Sequence, residues 1–419
     1  MTKWIGMIAI VLTLAACGEK SYNEIGLMPP PALYTSGAAK PFLGDTGRRI
    51  ETQNTLFYAT DRAPATTEDK SAFYANRRGF VLRVGTADVA MTPPLADRDA
   101  MRAITLGQDD GPPRTLTVTG VTEIGGLPAD PPNPLVAELP MDTPPDGRKA
   151  FAQQINQQLA RSGSRDAYIY VHGYNVDFAY PTLVSRELQH YLGYRGAFIS
   201  YNWPATPSRL AYFKDIETAS ATRRNLRSLI EFLSANTNVR RVNLIGYSAG
   251  SRLVFETAYQ IALLNRGGHG RARLGQVILI GSDLDRTYFS EALADGLLDG
   301  MDQLSIYMSG QDSALAMSRL LFGEHRLGQV WDSSATSEPI EDRLADISRL
   351  ALIDVTDAKG ATLGNGHWYF RSSPWASSDI LLTLLSGNPP HKRGLVRQEG
   401  AVWTFPATYA DSLAIGDGS

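Results

Sequence analysis

The sequence predicts an α/β protein built on a mostly parallel sheet with helices on both faces, preceded by a small β-rich N-terminal region. The first observation behind this is strict alternation. Between about residues 146 and 390, short apolar runs alternate with longer segments whose hydrophobics recur every three or four positions, the pattern of buried parallel strands joined by amphipathic helices. The second lies upstream, where segments 55–60, 79–84 and 116–119 are short, β-branched or aromatic, and punctuated by Gly, Pro and Asp, as strands are. The third is that nine of the 24 prolines fall between Gly111 and Arg148. Such a region holds turns and extended linker but no helix interior, which places a boundary near Asp146.

Within the alternating region the strands are expected at 167–171, 196–202, 241–245, 277–280, 303–308 and 350–355. Helices are expected at 149–161, 180–192, 221–235, 251–264, 288–298, 314–322 and 378–385. Residues 391–419 read as a C-terminal extension. No internal repeat and no low-complexity tract interrupts the chain.

The 419 residues are 43% hydrophobic and 20% charged, an ordinary globular composition able to bury a full core. Forty basic residues stand against 43 acidic ones, a formal charge of -3 with no block of like charges, so a nucleic-acid partner is not expected. One cysteine rules out an internal disulfide framework. With six histidines and no Cys/His cluster, no structural metal and no cofactor are expected.

The cysteine sits at a telling place. Met1-Thr2-Lys3 is followed by an almost uninterrupted apolar run from Trp4 to Ala16 that ends Leu14-Ala15-Ala16-Cys17. The run is too short to span a bilayer as a mature helix and fits the apolar core of a secretory signal peptide. Leu14 to Cys17 resembles the bacterial lipoprotein processing box, in which the cysteine thiol is diacylated and becomes the new N-terminus. Residues 1–16 are thus expected to be a lipoprotein signal peptide, with Cys17 the lipidated anchor. Gly18, in place of the aspartate that retains lipoproteins in the inner membrane, points to the outer membrane facing the periplasm. Residues 17–50 are small and polar with Pro29-Pro30-Pro31 and read as a tether.

Gly246-Tyr247-Ser248-Ala249-Gly250 follows an apolar strand and opens an amphipathic helix carrying Leu253, Val254, Ala258 and Ile261. A G-x-S-x-G pentapeptide between strand and helix demands a turn so tight that the serine backbone is strained, and the glycines let strand and helix approach. Ser248 is the expected nucleophile. Upstream, the strand Tyr168-Ile169-Tyr170-Val171 runs into His172-Gly173-Tyr174-Asn175. In hydrolases of this architecture that turn supplies one oxyanion-hole amide and the residue after the nucleophile the other, here Tyr174 and Ala249. His172 is expected to pack and to bond its own loop.

A serine needs an imidazole to take its proton and an acid to hold that imidazole, in the chain order Ser, acid, His. His269 comes too early, His391 reads as solvated, and His325 reads as a helix cap. His367, in a Gly-rich loop after the last expected strand, is the expected base. Asp312 ends the second strand after the nucleophile and His367 follows the third, so Asp312 is the expected acid. Asp283 is the alternative acid, with Asp285 expected to cap a helix beginning near Thr287.

Taken together, the chain resembles a bacterial family of secreted or lipid-anchored α/β-hydrolase-fold proteins of uncharacterised function. The resemblance rests on Phe57-Tyr58-Ala59-Thr60-Asp61-Arg62, Val171-His172-Gly173-Tyr174-Asn175, Asn202-Trp203-Pro204, the Ser248 elbow, Ser282-Asp283-Leu284-Asp285 and Gly366-His367, and runs from about Asn54 to Leu385. It implies the α/β-hydrolase fold and an esterase-like or lipase-like activity on a small-molecule or lipid ester. Tyr247 and Ala249 depart from the His and Met frequent in such elbows.

A large lid does not fit the span between Ser282 and Asp302. The aromatic, proline-stiffened loop from Trp203 to Phe213 is expected at the same edge as Ser248, where pocket wall and surface packing are equally open readings, and Trp368 and Tyr369 are open between core and substrate contact. Two further functions share this pattern: an envelope acyltransferase using the same acyl-enzyme, and a lipid-anchored binding or assembly protein without turnover.

Overall fold

The computed structural model of the protein describes residues 22–40, 55–69, 71–128, 143–322, 326–330, 344, 347–398 and 401–414. The strands are β1 (Ile25–Gly26), β2 (Leu56–Pro64), β3 (Tyr74–Thr92), β4 (Thr115–Leu127), β5 (Asp166–Val171), β6 (Ala197–Tyr201), β7 (Arg241–Tyr247), β8 (Leu274–Ile280), β9 (Met301–Met308), β10 (Leu350–Asp354), β11 (Val396–Arg397) and β12 (Val402–Thr404). The helices are α1 (Ala32–Thr35), α2 (Arg98–Thr105), α3 (Arg148–Ser162), α4 (Ala179–Tyr191), α5 (Tyr212–Asn236), α6 (Ala249–Arg266), α7 (Arg286–Ala294), α8 (Ser313–Phe322), α9 (Tyr369–Ser372), α10 (Pro374–Ser386) and α11 (Tyr409–Ala414).

All twelve strands form one sheet, in the order β1-β4-β3-β2-β6-β5-β7-β8-β9-β10-β12-β11. From β2 to β12 every neighbouring pair is parallel. The sheet therefore does not stop at Asp146. Phe57 on β2 pairs with Ile199 on β6, so the β-rich region completes an edge of the parallel sheet that would otherwise leave a row of backbone groups unpaired. The C-terminal extension does the same at the far side, where Leu352 pairs with Val402.

Period-two alternation sends each strand's side chains to two cores. On β5, Ala167, Ile169 and Val171 join one core with Phe151, Leu226, Leu253 and Phe289 of α3, α5, α6 and α7. Tyr168 and Tyr170 join the other, with Leu183 and Leu188 of α4 and Ile380 and Leu384 of α10. Helices thus cover both faces, as the alternating pattern predicts.

Residues 22–40 differ from the expected tether. Ile25, Met28, Leu33 and Tyr34 are buried in the second core, the Met28 N–H donates to Glu187 Oε1 at 2.7 Å, and the Leu33 N–H donates to Ser378 Oγ at 2.9 Å. Apolar residues spaced through a proline-rich stretch are enough to hold it in the groove between α4 and α10. Cys17, the signal peptide and His325 lie outside the described residues. Among the described residues no helix is long and apolar enough to cross a membrane.

Candidate active site

The chain passes from β5 to β6 on one side and then returns to place β7 on the other side of β5. Such a reversal opens a crevice at the carboxyl ends of the strands, the usual ligand position in an open α/β sheet. Ser248 sits there, between β7 and α6, with φ 52° and ψ −125°. A non-glycine residue held in that region is strained by about 1–3 kcal/mol and stays only where its surroundings over-determine it. They do so here: a Cβ on Gly246 would come within 2.7 Å of Ser251 Cα, and one on Gly250 within 2.2 Å of the His172 carbonyl oxygen. The Ser248 N–H is fixed to the Ile280 carbonyl at 2.8 Å.

The His172–Asn175 turn crosses directly over the elbow, since a Cβ on Gly173 would lie 3.0 Å from Ser248 Cβ. Neither the Tyr174 amide nor the Ala249 amide donates to a backbone acceptor among the described residues, and Ala249 opens α6, whose dipole favours an anion. His172 is a support. Its Nδ1–H donates to the Gly173 carbonyl at 2.6 Å, its ring stacks on Trp203 at 5.1 Å, and Trp203 Nε1–H donates to the His172 carbonyl at 2.7 Å. Burial pushes this imidazole down to about 3, so it is neutral at neutral pH. Trp203 is therefore core and not pocket wall.

Arg62 of the Phe57–Arg62 motif lies fully buried beneath this turn and donates to Asn76 Oδ1 at 2.6 Å and to the Val176 carbonyl at 3.3 Å. Burial lowers it to about 10, so it remains a cation. Asp61 beside it accepts from Thr222 and from Asn225 Nδ2, tying β2 to α5.

His367 and Asp312 meet from the loops after β10 and β9. Asp312 Oδ2 accepts from His367 Nδ1–H at 2.6 Å, and both side chains are buried. The second oxygen, Oδ1, accepts from the Leu315 N–H at 3.0 Å and so also caps α8. Gly281 gives the imidazole its room: its φ is +53°, and a Cβ there would sit 2.9 Å from His367 Cε1. Gly366 does the same for the histidine loop, since a Cβ would meet the Gln311 carbonyl at 2.4 Å. The His367 ring packs at 5.0 Å on Tyr247, the residue before Ser248. The Ser248 hydroxyl makes no hydrogen bond among the described residues; such contacts often close only with substrate bound.

Asp283 is engaged elsewhere. It accepts from the Tyr212 hydroxyl at 2.8 Å and lies 3.6 Å from Arg252 Nε. Burial and this carboxylate push the Tyr212 phenol up, which keeps it a donor. Asp285 accepts from the Thr287 and Tyr288 N–H groups and caps α7. His269 lies in the turn after α6 at the opposite edge of the sheet, and His391 lies in a short helical turn before β11.

Three tyrosines also contribute, of which the sequence marks Tyr212 and Tyr369 only as open readings and Tyr22 not at all. Tyr212 stands with its ring 5.0 Å from Tyr174 and its hydroxyl 3.0 Å from Ser318 Oγ. Tyr369 ties the histidine loop to β8 and β9 through Gly281 and Tyr307. Tyr22 donates to Asn175 Oδ1 at 3.2 Å. The chain has 18 tyrosines, and no local mark separates these three from core. Among the described residues no three His, Cys, Asp or Glu side chains cluster as a metal site.

None of the curated proteins compared with the chain matches it. Two similar solved structures are the Pyrobaculum calidifontis esterase, 13% identical with a TM-score of 0.29 over 53% of this chain and 77% of that one, and a lipase-esterase related protein from Clostridium acetobutylicum ATCC 824, 13% identical with a TM-score of 0.22 over 61% and 90%. The family described as alpha/beta hydrolase of unknown function (DUF900) matches residues 147–384, the span holding the Ser248 elbow, the His172 turn, Asp312 and His367. With more than half of its length matched, the chain belongs to this alpha/beta hydrolase family.

Proposed function

We propose that the protein is a serine hydrolase of carboxylic esters, held at the cell envelope by a lipid on Cys17. The observation that carries the reading is the buried His367 Nδ1–Asp312 Oδ2 bond of 2.6 Å beside a serine at φ 52°. In this reading Ser248 Oγ attacks the ester carbonyl and its proton passes to His367 Nε2. Asp312 holds the tautomer and balances the imidazolium, and the Tyr174 and Ala249 amides hold the oxyanion. The alcohol leaves with the proton from His367, and water then releases the acid by the reverse relay.

The test is a fluorophosphonate probe with peptide mapping, together with hydrolysis of a short-chain ester. Label on Ser248, and loss of both label and turnover in a folded Ser248→Ala, are the expected results. Label on another serine, or full activity of that variant, refutes the reading. For the anchor, Cys17→Ser is expected to release the chain from the membrane fraction, and an intact mass with unmodified Cys17 refutes it.

A further inference from the structure

Five of the eight large exposed hydrophobics among the described residues crowd the edge that holds Ser248. Leu210 is 96% exposed, Phe213 58%, Met317 56%, Leu320 77% and Leu363 59%. They are one rim. The Tyr212 hydroxyl bonds Ser318 Oγ at 3.0 Å, which brings the segment around Leu210 and Phe213 against the one around Met317 and Leu320. The Ser313 hydroxyl donates to the Asn365 carbonyl at 3.0 Å, which adds the loop of Leu363 and His367. Cations interleave with these apolar residues: Arg209, Lys214 and Arg319 are exposed, and residues 209–214 and 316–320 hold no acid. A chain whose formal charge is -3 therefore presents a basic, apolar rim around its candidate active site, the combination that seats on an anionic lipid surface.

The N-terminus independently points the same way. Tyr22 is held at the mouth, its hydroxyl on Asn175 Oδ1 at 3.2 Å and its ring 6.4 Å from Tyr180. Cys17 is five residues upstream, and five residues reach at most about 18 Å. A lipid on Cys17 would therefore keep Tyr22, at the mouth, within about 18 Å of the bilayer.

We infer that the rim of Leu210, Phe213, Met317, Leu320 and Leu363 docks on an anionic phospholipid bilayer and that the ester cleaved is the acyl ester of a glycerophospholipid drawn from that bilayer. The inference rests on the serine-hydrolase reading and on Cys17 as the anchor. Ser248 Oγ bonds to the acyl carbon, the glycerol oxygen leaves with the proton from His367 as a lysophospholipid, and water frees the fatty acid and restores Ser248.

The experiment compares two substrates for the full lipidated chain reconstituted in vesicles of phosphatidylglycerol and phosphatidylcholine: the vesicle phospholipid, and a water-soluble short-chain ester. Fatty acid release from the vesicles is expected, and Leu210→Ser with Leu320→Ser together should lower it about tenfold while soluble-ester turnover stays unchanged. Arg209→Glu with Lys214→Glu should lower vesicle turnover only when phosphatidylglycerol is present. Soluble-ester turnover without phospholipid cleavage, or equal loss of both activities in the rim variants, overturns the inference and leaves the hydrolase reading standing. Absence of both activities and of the fluorophosphonate label overturns the hydrolase reading itself.

Discussion

The backbone N–H of Gly281 donates to the hydroxyl of Tyr369 at 2.6 Å, and that hydroxyl donates in turn to the Tyr307 carbonyl at 2.8 Å. One phenol thus joins the ends of β8 and β9 to the loop that carries His367. Tyr369→Phe is expected to cost about 0.5–1.5 kcal/mol, the net worth of a lost hydrogen bond, since the Gly281 N–H and the Tyr307 carbonyl keep only their own longer contact of 3.3 Å. Because Gly281 packs on the imidazole, it should also lower kcat while KM stays near its starting value. Denaturant unfolding and steady-state kinetics check both, and an unchanged kcat would detach Tyr369 from the histidine.

Asp312→Asn should reduce turnover by about 10⁴, the scale seen when the orienting aspartate of a serine protease triad is amidated. Its thermal midpoint should barely move, because Asn also accepts from the first turn of a helix. Asp283→Asn, which touches Tyr212 and Arg252 instead, should reduce turnover by less than about tenfold. A larger loss in the Asp283 variant would transfer the acid's role.

Gly250→Ala should fail to fold or lose more than about 3 kcal/mol, since its Cβ would overlap the His172 carbonyl oxygen at 2.2 Å, and backbone cannot swing away as a side chain can. Gly26→Ala, with nothing within 4 Å of the new Cβ, is the control and should be nearly neutral. Equal stability of the two would contradict the packing of the elbow.

Acid should weaken the fold in a defined window. His172 is neutral in the folded state down to about pH 3 and takes a proton near pH 6.5 when unfolded. The unfolded chain therefore binds more protons below pH 6.5, and stability falls with pH there by up to about 1.4 kcal/mol per pH unit for this one group. His190, lowered to about 4 by burial and Arg186, acts in the same direction. Buried carboxylates such as Asp61 and Glu187, raised by desolvation, act oppositely at the acid end. Unfolding midpoints at pH 7.5, 6.5 and 5.5 should decline, less steeply in His172→Asn; equal slopes in the two proteins would remove His172 from the effect.

Much of this was readable along the chain because it is local. The elbow needs a strand, two glycines and a helix within a few residues of Ser248, and strand counting was enough to favour Asp312 over Asp283. The start of α5 was not readable. Its first turns, from Tyr212 to Ser220, put Asp215, Thr218 and Ala219 inward and so lack the apolar stripe that marks residues 221–235. Asp215 is accommodated there by accepting from the Thr206 N–H at 2.9 Å. The burial of residues 22–40 was equally hidden, since their partners Glu187 and Ser378 are remote in sequence and carry no local signal.

Those remote partners also set an order of assembly. The Leu33–Ser378 bond closes a loop of 345 positions, Arg371 Nη2 reaches the Gly26 carbonyl at 2.9 Å, and β12 pairs with β10 only after residue 402 exists. Contacts of such long separation form late, since their loop entropy must be met before they stabilise anything. As the chain is synthesised, the Ser248 elbow and its neighbouring strands can gather early, but the groove that receives residues 22–40 is complete only once α10 has arrived. Residues 26–33, which bond to Arg371 and Ser378, are therefore seated late, so that a growing chain carries its nucleophile before its N-terminal segment is in place.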